Sequence, residues 1–566
     1  MTDTETIRHD DWALRPWALA VLLGLAGLGV HLVAQWDADW WTPWRAALTA
    51  ALAFGPLAFA FTLDRDRWRA PLAFAALVAL VMAGIAWRVA SVGDRHADAP
   101  FWFAAGVVAI ALALPLFQAG FHRLRWRTPY DATHFHVWTD AISVAGALAF
   151  TGLAWLLLYL LALLFGAIDI HVLRHAIEEG WFGWTFSGAA FGGSLGVLRN
   201  QLKIIGTLQS VVMLVFSIIA VPLALGLTIF LVAVLASGIA VLWNATESPT
   251  PLLLSVAVAS FVLVNAVVRN GEEEASGNRV LRWAALALAL SILPLALLAA
   301  ISTGTRIAEY GLSPERIWGV IAVAVAVAYG LAYFVAPIRG RIAGWMARVR
   351  TANMHLAVGT CVLAFVLALP LFDFGAISAR NQIARLESGE VTVEKFDFEA
   401  LRWDFGDAGR DALALLAKSS HRGVAERALA AANAQLRSYE TPDVRRQRSS
   451  IRVNLVPDTA ANREMVFLHL ETAPWLCSNG CVAVELFEWS DGLKQFAIID
   501  SGSASFTPVN LPRELANARH AQPADRPKRY EFGSKVEIRQ VEGRQIYVDS
   551  EPFGEMIALP EDAEGQ

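Results

Sequence analysis

The sequence predicts a polytopic α-helical membrane bundle followed by a small soluble α+β domain, and two observations support this fold class. Of the 566 residues, 56% are hydrophobic and only 17% are charged, whereas soluble proteins average about 45–50% apolar and about 25% charged residues. The apolar residues also form long uncharged runs, such as 142–167, 204–243 and 252–268. A bilayer-spanning helix needs about 20 mostly apolar residues, because its backbone groups must bond one another in hydrocarbon. We therefore expect the protein to be embedded in a lipid bilayer.

The predicted spans follow these runs, and tryptophans cluster at the run ends, where amphipathic rings sit at the headgroup level. Residues 168–243 allow two interpretations, because run 204–243 is about 60 Å long as a helix, twice the hydrocarbon thickness. Either this run crosses twice with a break near Pro222, or 180–198 crosses and the long run is one overlong helix. The clear spans cover residues 17–34, 46–63, 71–87, 101–118, 141–167, 251–268, 283–301, 317–336 and 356–372.

Charge bias predicts the orientation, because short loops rich in Lys and Arg stay in the cytoplasm. All of the basic loops can lie in the cytoplasm only if residues 168–243 cross the membrane twice, which gives about 11 spans. We expect a multi-pass protein of the bacterial inner (cytoplasmic) membrane, with residues 1–16 cytoplasmic and everything after residue 372 periplasmic. One miscounted crossing would reverse the side of the C-terminal part. The basic loops carry Arg65, Arg67 and Arg69, then His122, Arg123, Arg125 and Arg127, and finally Arg339, Arg341, Arg348 and Arg350.

Composition divides the rest of the chain into a transmembrane domain at 17–373, a helical connector at 374–440 and a β-rich soluble domain at 441–566. Ala-rich amphipathic patterns predict connector helices, and alternation of period two predicts strands. Glu542-Gly543-Arg544 is typical of a hairpin turn. The connector helices are predicted at 376–387, 398–418 and 422–436, and the strands at 451–456, 465–470, 481–487, 495–500, 536–541 and 545–549.

Three short segments carry a family pattern. Residues 306–316 read Arg-Ile-Ala-Glu-Tyr-Gly-Leu-Ser-Pro-Glu-Arg, residues 263–271 read Leu-Val-Asn-Ala-Val-Val-Arg-Asn-Gly, and residues 377–389 contain the triplet Arg-Asn-Gln. In these segments, and over about residues 10–420, the chain resembles the bacterial integral-membrane family called domain of unknown function 4153. The resemblance implies a multi-span membrane protein and brings no assigned activity.

The segment 306–316 and the triplet are the main candidates for a functional loop. One interpretation is a charged recognition or gating element that faces a cavity. The favoured interpretation is a helix end closed by Gly311, followed by Ser313 as N-cap and Pro314 at the first position of the next helix. The candidate residues are Arg306, Glu309, Tyr310, Arg316, Arg380 and Asn381.

Polar residues inside the predicted spans are few, which disfavours an ion pathway. Asn265 and Gln118 are the main intramembrane candidates, and interhelical hydrogen bonding explains both without a transport role. The Gly-rich segment 188–196 lacks the Gly-Lys-Ser/Thr ending of a phosphate loop, so close helix packing is the better account.

Two further patterns invite a metal or disulfide interpretation. His171, His175, Glu178 and Glu179 could share one helical face, as zinc sites require, but an amphipathic helix lying in the membrane interface is favoured, and we expect no metal. Cys477 and Cys481 flank an Asn-Gly turn between two predicted strands. A disulfide, two free thiols and a metal site all remain open, and a disulfide is plausible outside the cytoplasm.

The sequence contains no catalytic order of Ser, His and Asp and no nucleotide fingerprint, so we expect no cofactor. A net charge of −5 gives no nucleic-acid signature. The leading hypothesis is a non-enzymatic scaffold or sensor that presents a periplasmic domain to a periplasmic protein partner. The alternatives are a permease and, third, a membrane enzyme acting on a lipid-linked anionic substrate held by Arg306, Glu309, Arg316 and Arg380.

Overall fold

The computed structural model forms two compact units, residues 1–437 and 438–566. The described secondary structure of the first unit is helical, and the described strands belong to the second unit. The residues that the structure describes are 12–35, 42–238, 249–271, 273, 275–434, 453–472, 474–477, 481–488, 494–500, 503–509, 543–548 and 551–558.

The first unit is built from long apolar helices. Among the described residues, ten helical segments are long and apolar enough to cross a membrane, which supports the predicted multi-pass architecture. The helices are α1 (Arg15–Gln35), α2 (Pro43–Thr62), α3 (Arg69–Val92), α4 (Ala99–Gln118), α5 (Phe121–Leu124), α6 (Tyr130–Gly166), α7 (Val172–Glu178), α8 (Gly180–Asn200), α9 (Leu202–Ser237), α10 (Pro249–Val268), α11 (Arg279–Tyr310) and α12 (Pro314–Ala368). Because Arg341 has a positive φ of 51°, α12 bends there into two spans, Pro314–Arg341 and Gly344–Ala368.

The ambiguous region 168–243 contains α7, α8 and a single uninterrupted α9 of 36 residues. The predicted break near Pro222 is therefore wrong, because Pro222 lies inside the continuous helix. The alternative prediction, a helix at 180–198 followed by one long helix, matches the structure. Helix α8 is not among the ten candidate spans, yet it has the same 21-residue length as α1.

Glycines allow α8 to lie antiparallel against α1 along its whole length. A Cβ on Gly188 would lie 2.2 Å from the carbonyl oxygen of Leu23, and one on Gly192 would lie 2.2 Å from that of Leu19. A Cβ on Gly27 of α1 would lie 2.3 Å from the carbonyl oxygen of Trp184. Small residues that bring two helix backbones this close are typical of packing in membranes.

The loops of the first unit gather at two opposite ends of the bundle. At the connector end, loops 93–98, 311–313 and 369–373 meet, as shown by bonds from Trp318 and Phe374 to Asp98. At the basic-loop end lie the ends of α2, α4 and α10 and the bend of α12, which are linked to one another by side-chain hydrogen bonds.

Four short helices follow the bundle: α13 (Phe374–Glu387), α14 (Phe398–Trp403), α15 (Gly406–Leu416) and α16 (Arg422–Asn433). They share a small core around Leu401, Leu413 and Ala428. The helix predicted at 398–418 is in fact two helices, because Gly406 adopts a positive φ of 63° between them. A Cβ on Gly406 would lie 2.4 Å from the carbonyl oxygen of Arg95, so the connector packs directly on the connector end of the bundle.

The second unit contains a four-stranded sheet of order β1-β2-β3-β4 and a separate β5-β6 hairpin. Strand β1 is parallel to β2, and the other pairs are antiparallel. The bounds are β1 Val453–Val456, α17 Ala460–Thr472, β2 Cys481–Glu488, β3 Lys494–Asp500, β4 Ser503–Val509, β5 Gly543–Val548 and β6 Glu551–Ala558.

Two predictions for this unit are wrong. The predicted strand at 465–470 is part of α17, which buries Met465, Val466 and Leu470 on one helical face. Gly543 and Arg544 of the predicted turn instead open β5, where Gly543 pairs with Ala558, and Glu542 lies outside the described residues. The predicted strand at 536–541 lies outside the described residues, and β4 and β6 were not predicted.

The α1–α8 contact generates a testable expectation. Gly192→Ala should lower the free energy of unfolding by about 1–3 kcal/mol, because the added methyl overpacks the contact with Leu19. Gly152→Ala in α6 is the matched control: it meets nothing within 4 Å and should be neutral or slightly stabilising, since alanine favours helices. Both variants are heated in detergent, and size-exclusion chromatography measures how much folded protein remains at each temperature. Equal stability of the two variants would contradict this packing.

Candidate functional site

The segment 306–316 forms the junction between α11 and α12. Gly311, with a positive φ of 74°, closes α11 by donating its N–H to the carbonyl of Ile307 at 2.8 Å. The Oγ of Ser313 accepts the N–H of Arg316 at 3.3 Å, and Pro314 begins α12. The capping interpretation thus describes the local structure.

Helix α13 lies against this junction, and its residues Asn381, Gln382 and Arg385 form hydrogen bonds with the junction backbone. The Oδ1 of Asn381 accepts the N–H of Leu312 at 2.9 Å. The Nε2 of Gln382 donates to the carbonyls of Tyr310 at 2.8 Å and Leu312 at 2.9 Å. The guanidinium of Arg385 donates to the carbonyl of Glu309 at 2.9 Å. We call Asn381, Gln382 and Arg385 the helix-end latch, because Gln382 and Arg385 donate to carbonyls at the end of α11, which a helix leaves unpaired, and Asn381 accepts the N–H of the loop that follows.

The other predicted loop residues do not converge on one point. Arg316 donates to the carbonyl of Gly311 at 2.8 Å and lies over the ring of Tyr310. Arg380 donates to Ala376 in its own helix at 3.2 Å, and the side chain of Glu309 is exposed. The structure therefore brings Tyr310, Arg316 and Asn381 together around one helix end and leaves Arg380 outside.

Asn265 belongs to a closed set of hydrogen bonds near the basic-loop end, which we call the polar ring (Tyr130, Asn265, Tyr333 and Asn353). The Nδ2 of Asn265 donates to the hydroxyl of Tyr333 at 2.7 Å, and that hydroxyl donates to the Oδ1 of Asn353 at 2.8 Å. The Nδ2 of Asn353 closes the cycle by donating to the Oδ1 of Asn265 at 2.7 Å. The hydroxyl of Tyr130 lies 3.4 Å from Asn265 and 3.3 Å from Asn353. The ring links α6, α10 and both halves of α12.

His134 lies beside the polar ring with both ring nitrogens engaged. Its Nε2 accepts the indole N–H of Trp138 at 3.1 Å, so its Nδ1 carries the proton and donates to the Oδ1 of Asn270. These partners specify the neutral imidazole, because a protonated Nε2 could not accept.

Gln118 also bonds between helices. Its Nε2 donates to the carbonyl of Phe61 at the end of α2, at 2.9 Å, and to the Oδ1 of Asp140 in α6, at 3.2 Å. Like Asn265, it connects helices at the basic-loop end.

Arginines close the C-terminal ends of several helices in the same way as the latch. Each donates from one helix or loop to the last carbonyls of another element, where the helix dipole also favours a cation. The pairs are Arg45 to Val33 (α1), Arg199 to Ala60 (α2), Arg15 to Arg199 (α8), Arg350 to Val268 (α10), Arg385 to Glu309 (α11) and Arg88 to Ala368 (α12).

His96, Asp98 and Asp373 form a further cluster at the connector end, which we call the His96 cluster. The Nδ1 of His96 lies 3.6 Å from Asp98, and its Nε2 lies 3.6 Å from Asp373. Asp98 is fully buried, and burial raises the pKa of its carboxyl, although hydrogen bonds from Trp318 at 3.0 Å and from the backbone of Phe374 at 2.8 Å oppose the shift. A cavity of about 340 Å³ adjoins the cluster, lined by Val92, Arg95, His96, Asp373, Phe405, Asp407 and Ala408.

Sequence reasoning missed this cluster, because Asp373 is far from His96 and Asp98 in the chain and is brought to them only by the fold. Among the described residues, the His96 cluster is the one group of three or more side chains arranged to hold a metal. In α7, where the sequence left a metal site as the less favoured interpretation, Arg174 pairs with Glu178 at 3.3 Å.

Cys477 and Cys481 are joined by a disulfide bond, with Cα atoms 5.3 Å apart. Both cysteines are buried in the core of the second unit. Of the three alternatives that the sequence left open, the structure contains the disulfide.

The helix-end latch predicts a stability difference between neighbouring side chains. Gln382→Ala removes donors from two carbonyls and should lower the free energy of unfolding by about 1–3 kcal/mol. Arg380→Ala is the control, because the Arg380 side chain is exposed and bonds only within its own helix in the observed contacts. Denaturant titration in micelles, followed by tryptophan fluorescence, compares the two, and an Arg380→Ala variant as unstable as Gln382→Ala would contradict the latch.

Comparison with known proteins gives one match. Neither a curated protein nor a solved structure matches this chain. A family model described as Domain of unknown function (DUF4153) matches residues 19–416 and confirms the resemblance carried by the three motif segments. Because the match covers well over half of the chain, the protein belongs to this family.

Proposed function

We propose that this protein is a non-enzymatic scaffold or sensor of the bacterial cytoplasmic membrane that presents its C-terminal domain on the periplasmic side. The observation that supports the proposal is that the family-motif residues form structural hydrogen bonds. Asn381 and Gln382 bond the backbone at the end of α11, and Asn265 bonds other side chains between helices. These groups stabilise a fixed arrangement of helices, which is what a scaffold requires.

The proposed topology has eleven crossings with the N-terminus inside. It consists of the ten candidate spans and α8, which lies along α1 for its full length. The three basic loops around Arg67, Arg125 and Arg348 all belong to the basic-loop end, in agreement with a cytoplasmic position. An odd number of crossings then puts the connector end, and the domain that follows it, in the periplasm.

The close attachment of the connector supports a role in presenting that domain. Helix α13 bonds the α11–α12 junction through the latch, and Gly406 of the connector packs on the backbone of Arg95. Movement at the connector end of the bundle would therefore move the connector as well. We propose that a periplasmic protein binds the C-terminal domain and that the bundle holds the domain at the membrane.

The two alternatives have less support. A permease needs a polar cavity near the middle of the bilayer, whereas the cavity at the His96 cluster lies at the connector end. An enzyme for lipid-linked anions would need its arginines to converge. In the described structure Arg316 bonds the backbone of Gly311, and Arg380 bonds its own helix.

The topology can be tested with reporter fusions in bacteria. Alkaline phosphatase, which folds only outside the cytoplasm, should be active when fused after residue 389 and inactive when fused after residue 342, because the two points lie at opposite ends of the bundle. A cytoplasmic reporter such as green fluorescent protein should give the reverse pattern. Inactive phosphatase together with bright fluorescence at 389 would overturn both the eleven-crossing topology and the periplasmic placement.

A further inference from the structure

We propose that His96 and Asp373 bind a divalent metal ion of the zinc class at the connector end of the bundle, with Asp98 positioning His96. The proposal goes beyond the scaffold function and does not depend on it. It rests on the arrangement of these side chains and on the cavity beside them.

The donor atoms are close enough for one ion after a small adjustment. The Nε2 of His96 lies 3.6 Å from the Oδ2 of Asp373, and one donor atom from each of the three residues lies within 4.8 Å of the others. Ligands about 2.0–2.2 Å from a shared ion lie roughly 3 Å apart, so closure on the ion requires a shift of less than about 1 Å between His96 and Asp373. Imidazole nitrogen with carboxylate oxygen is a donor pair that zinc and related ions accept.

The lining of the cavity indicates which two of the three residues would be the metal ligands. His96 and Asp373 line it, whereas Asp98 does not and is fully buried behind them. Both oxygens of Asp98 already accept hydrogen bonds, from Trp318 and from the backbone of Phe374. The remaining coordination positions would open into the cavity of about 340 Å³, which has room for water or for a further ligand.

Asp98 has the position of a carboxylate that orients a metal-binding histidine. It lies 3.6 Å from the Nδ1 of His96, on the ring edge opposite to the nitrogen that faces Asp373. In this structure the Nδ1 of His96 accepts the backbone N–H of Asp98 at 3.4 Å, so metal binding at Nε2 requires the imidazole proton to move to Nδ1. The carboxylate of Asp98 would then accept that N–H, as carboxylates do for metal-binding histidines, and would fix the ring orientation. The ring of His96 also lies against the ring of Trp102 in a tilted arrangement, with ring centroids 4.4 Å apart and an interplanar angle of 53°.

The charge balance around His96 favours a cation. Asp98 and Asp373 are two carboxylates on either side of a single imidazole. Of the neighbouring arginines, Arg88 interacts electrostatically with Asp98. Arg410 pairs with Asp407 at 2.7 Å, and Arg95 donates to the carbonyl of Val92 in the preceding turn at 3.2 Å. A bound divalent ion would offset the carboxylate charge at this end of the bundle.

The test uses the full-length protein in nanodiscs, titrated with Zn²⁺ by calorimetry and with Co²⁺ by visible absorption. The wild type should bind one equivalent, and His96→Gln should weaken binding at least 10-fold. Asp373→Asn should do the same while the fold survives, because asparagine can still accept the N–H of Ala376 that Asp373 now caps at 2.8 Å. His171→Gln is the matched control for nonspecific histidine binding and should bind like the wild type.

Asp98→Asn separates positioning from a merely structural role. The affinity should fall about 10- to 100-fold, and the Co²⁺ absorption bands should shift, because the ring of His96 is no longer held by a carboxylate. Absence of binding in the wild type, or binding that His96→Gln leaves unchanged, would overturn the proposal. Unchanged Co²⁺ bands in Asp98→Asn would overturn the positioning role.

Discussion

The architecture depends on one constraint: the last carbonyls of each helix have no partner within the helix and must find donors elsewhere. In this bundle the donors come from other elements. Arg350 bonds the end of α10, and Arg385 with Gln382 bonds the end of α11. Each such bond fixes the distance between two elements as well as satisfying a carbonyl. The helix ends are therefore places where hydrogen bonds connect one helix of the bundle to another.

The polar ring applies the same principle inside the bundle. Its bonds form a closed cycle in which Asn265, Tyr333 and Asn353 each donate to the next. Interhelical hydrogen bonds in membranes are worth about 0.6 kcal/mol on average and up to about 1.7, and a cycle polarises its members in the same sense. Because Tyr333 and Asn353 lie on either side of the bend at Arg341, the ring also holds the two halves of α12 together. Polar groups thus join helices inside the bundle near the basic-loop end as well as at the helix ends.

The sequence predicted most spans to within a few residues, because apolar runs depend only on the bilayer. It failed where polar residues bond inside the bundle. The last span was predicted from residue 356, yet the helix segment begins at Gly344, since the buried Arg350 interrupts the apolar run while bonding Val268. Likewise α6 begins at Tyr130, ahead of the predicted residue 141, because His134 is buried beside the polar ring. The His96 cluster could not be predicted from spacing, because the fold alone brings Asp373 to His96.

Hydrogen–deuterium exchange of the full chain in nanodiscs tests most directly whether polar side chains fix the helix ends. The account predicts that the amide of Leu312, bonded by Asn381 at 2.9 Å, exchanges nearly as slowly as amides inside α11, although it lies in a loop. It also predicts slow exchange for α10 and α12 around the polar ring. Fast exchange at Leu312, or opening of the ring region on the timescale of seconds, would contradict the account and favour a bundle that changes conformation.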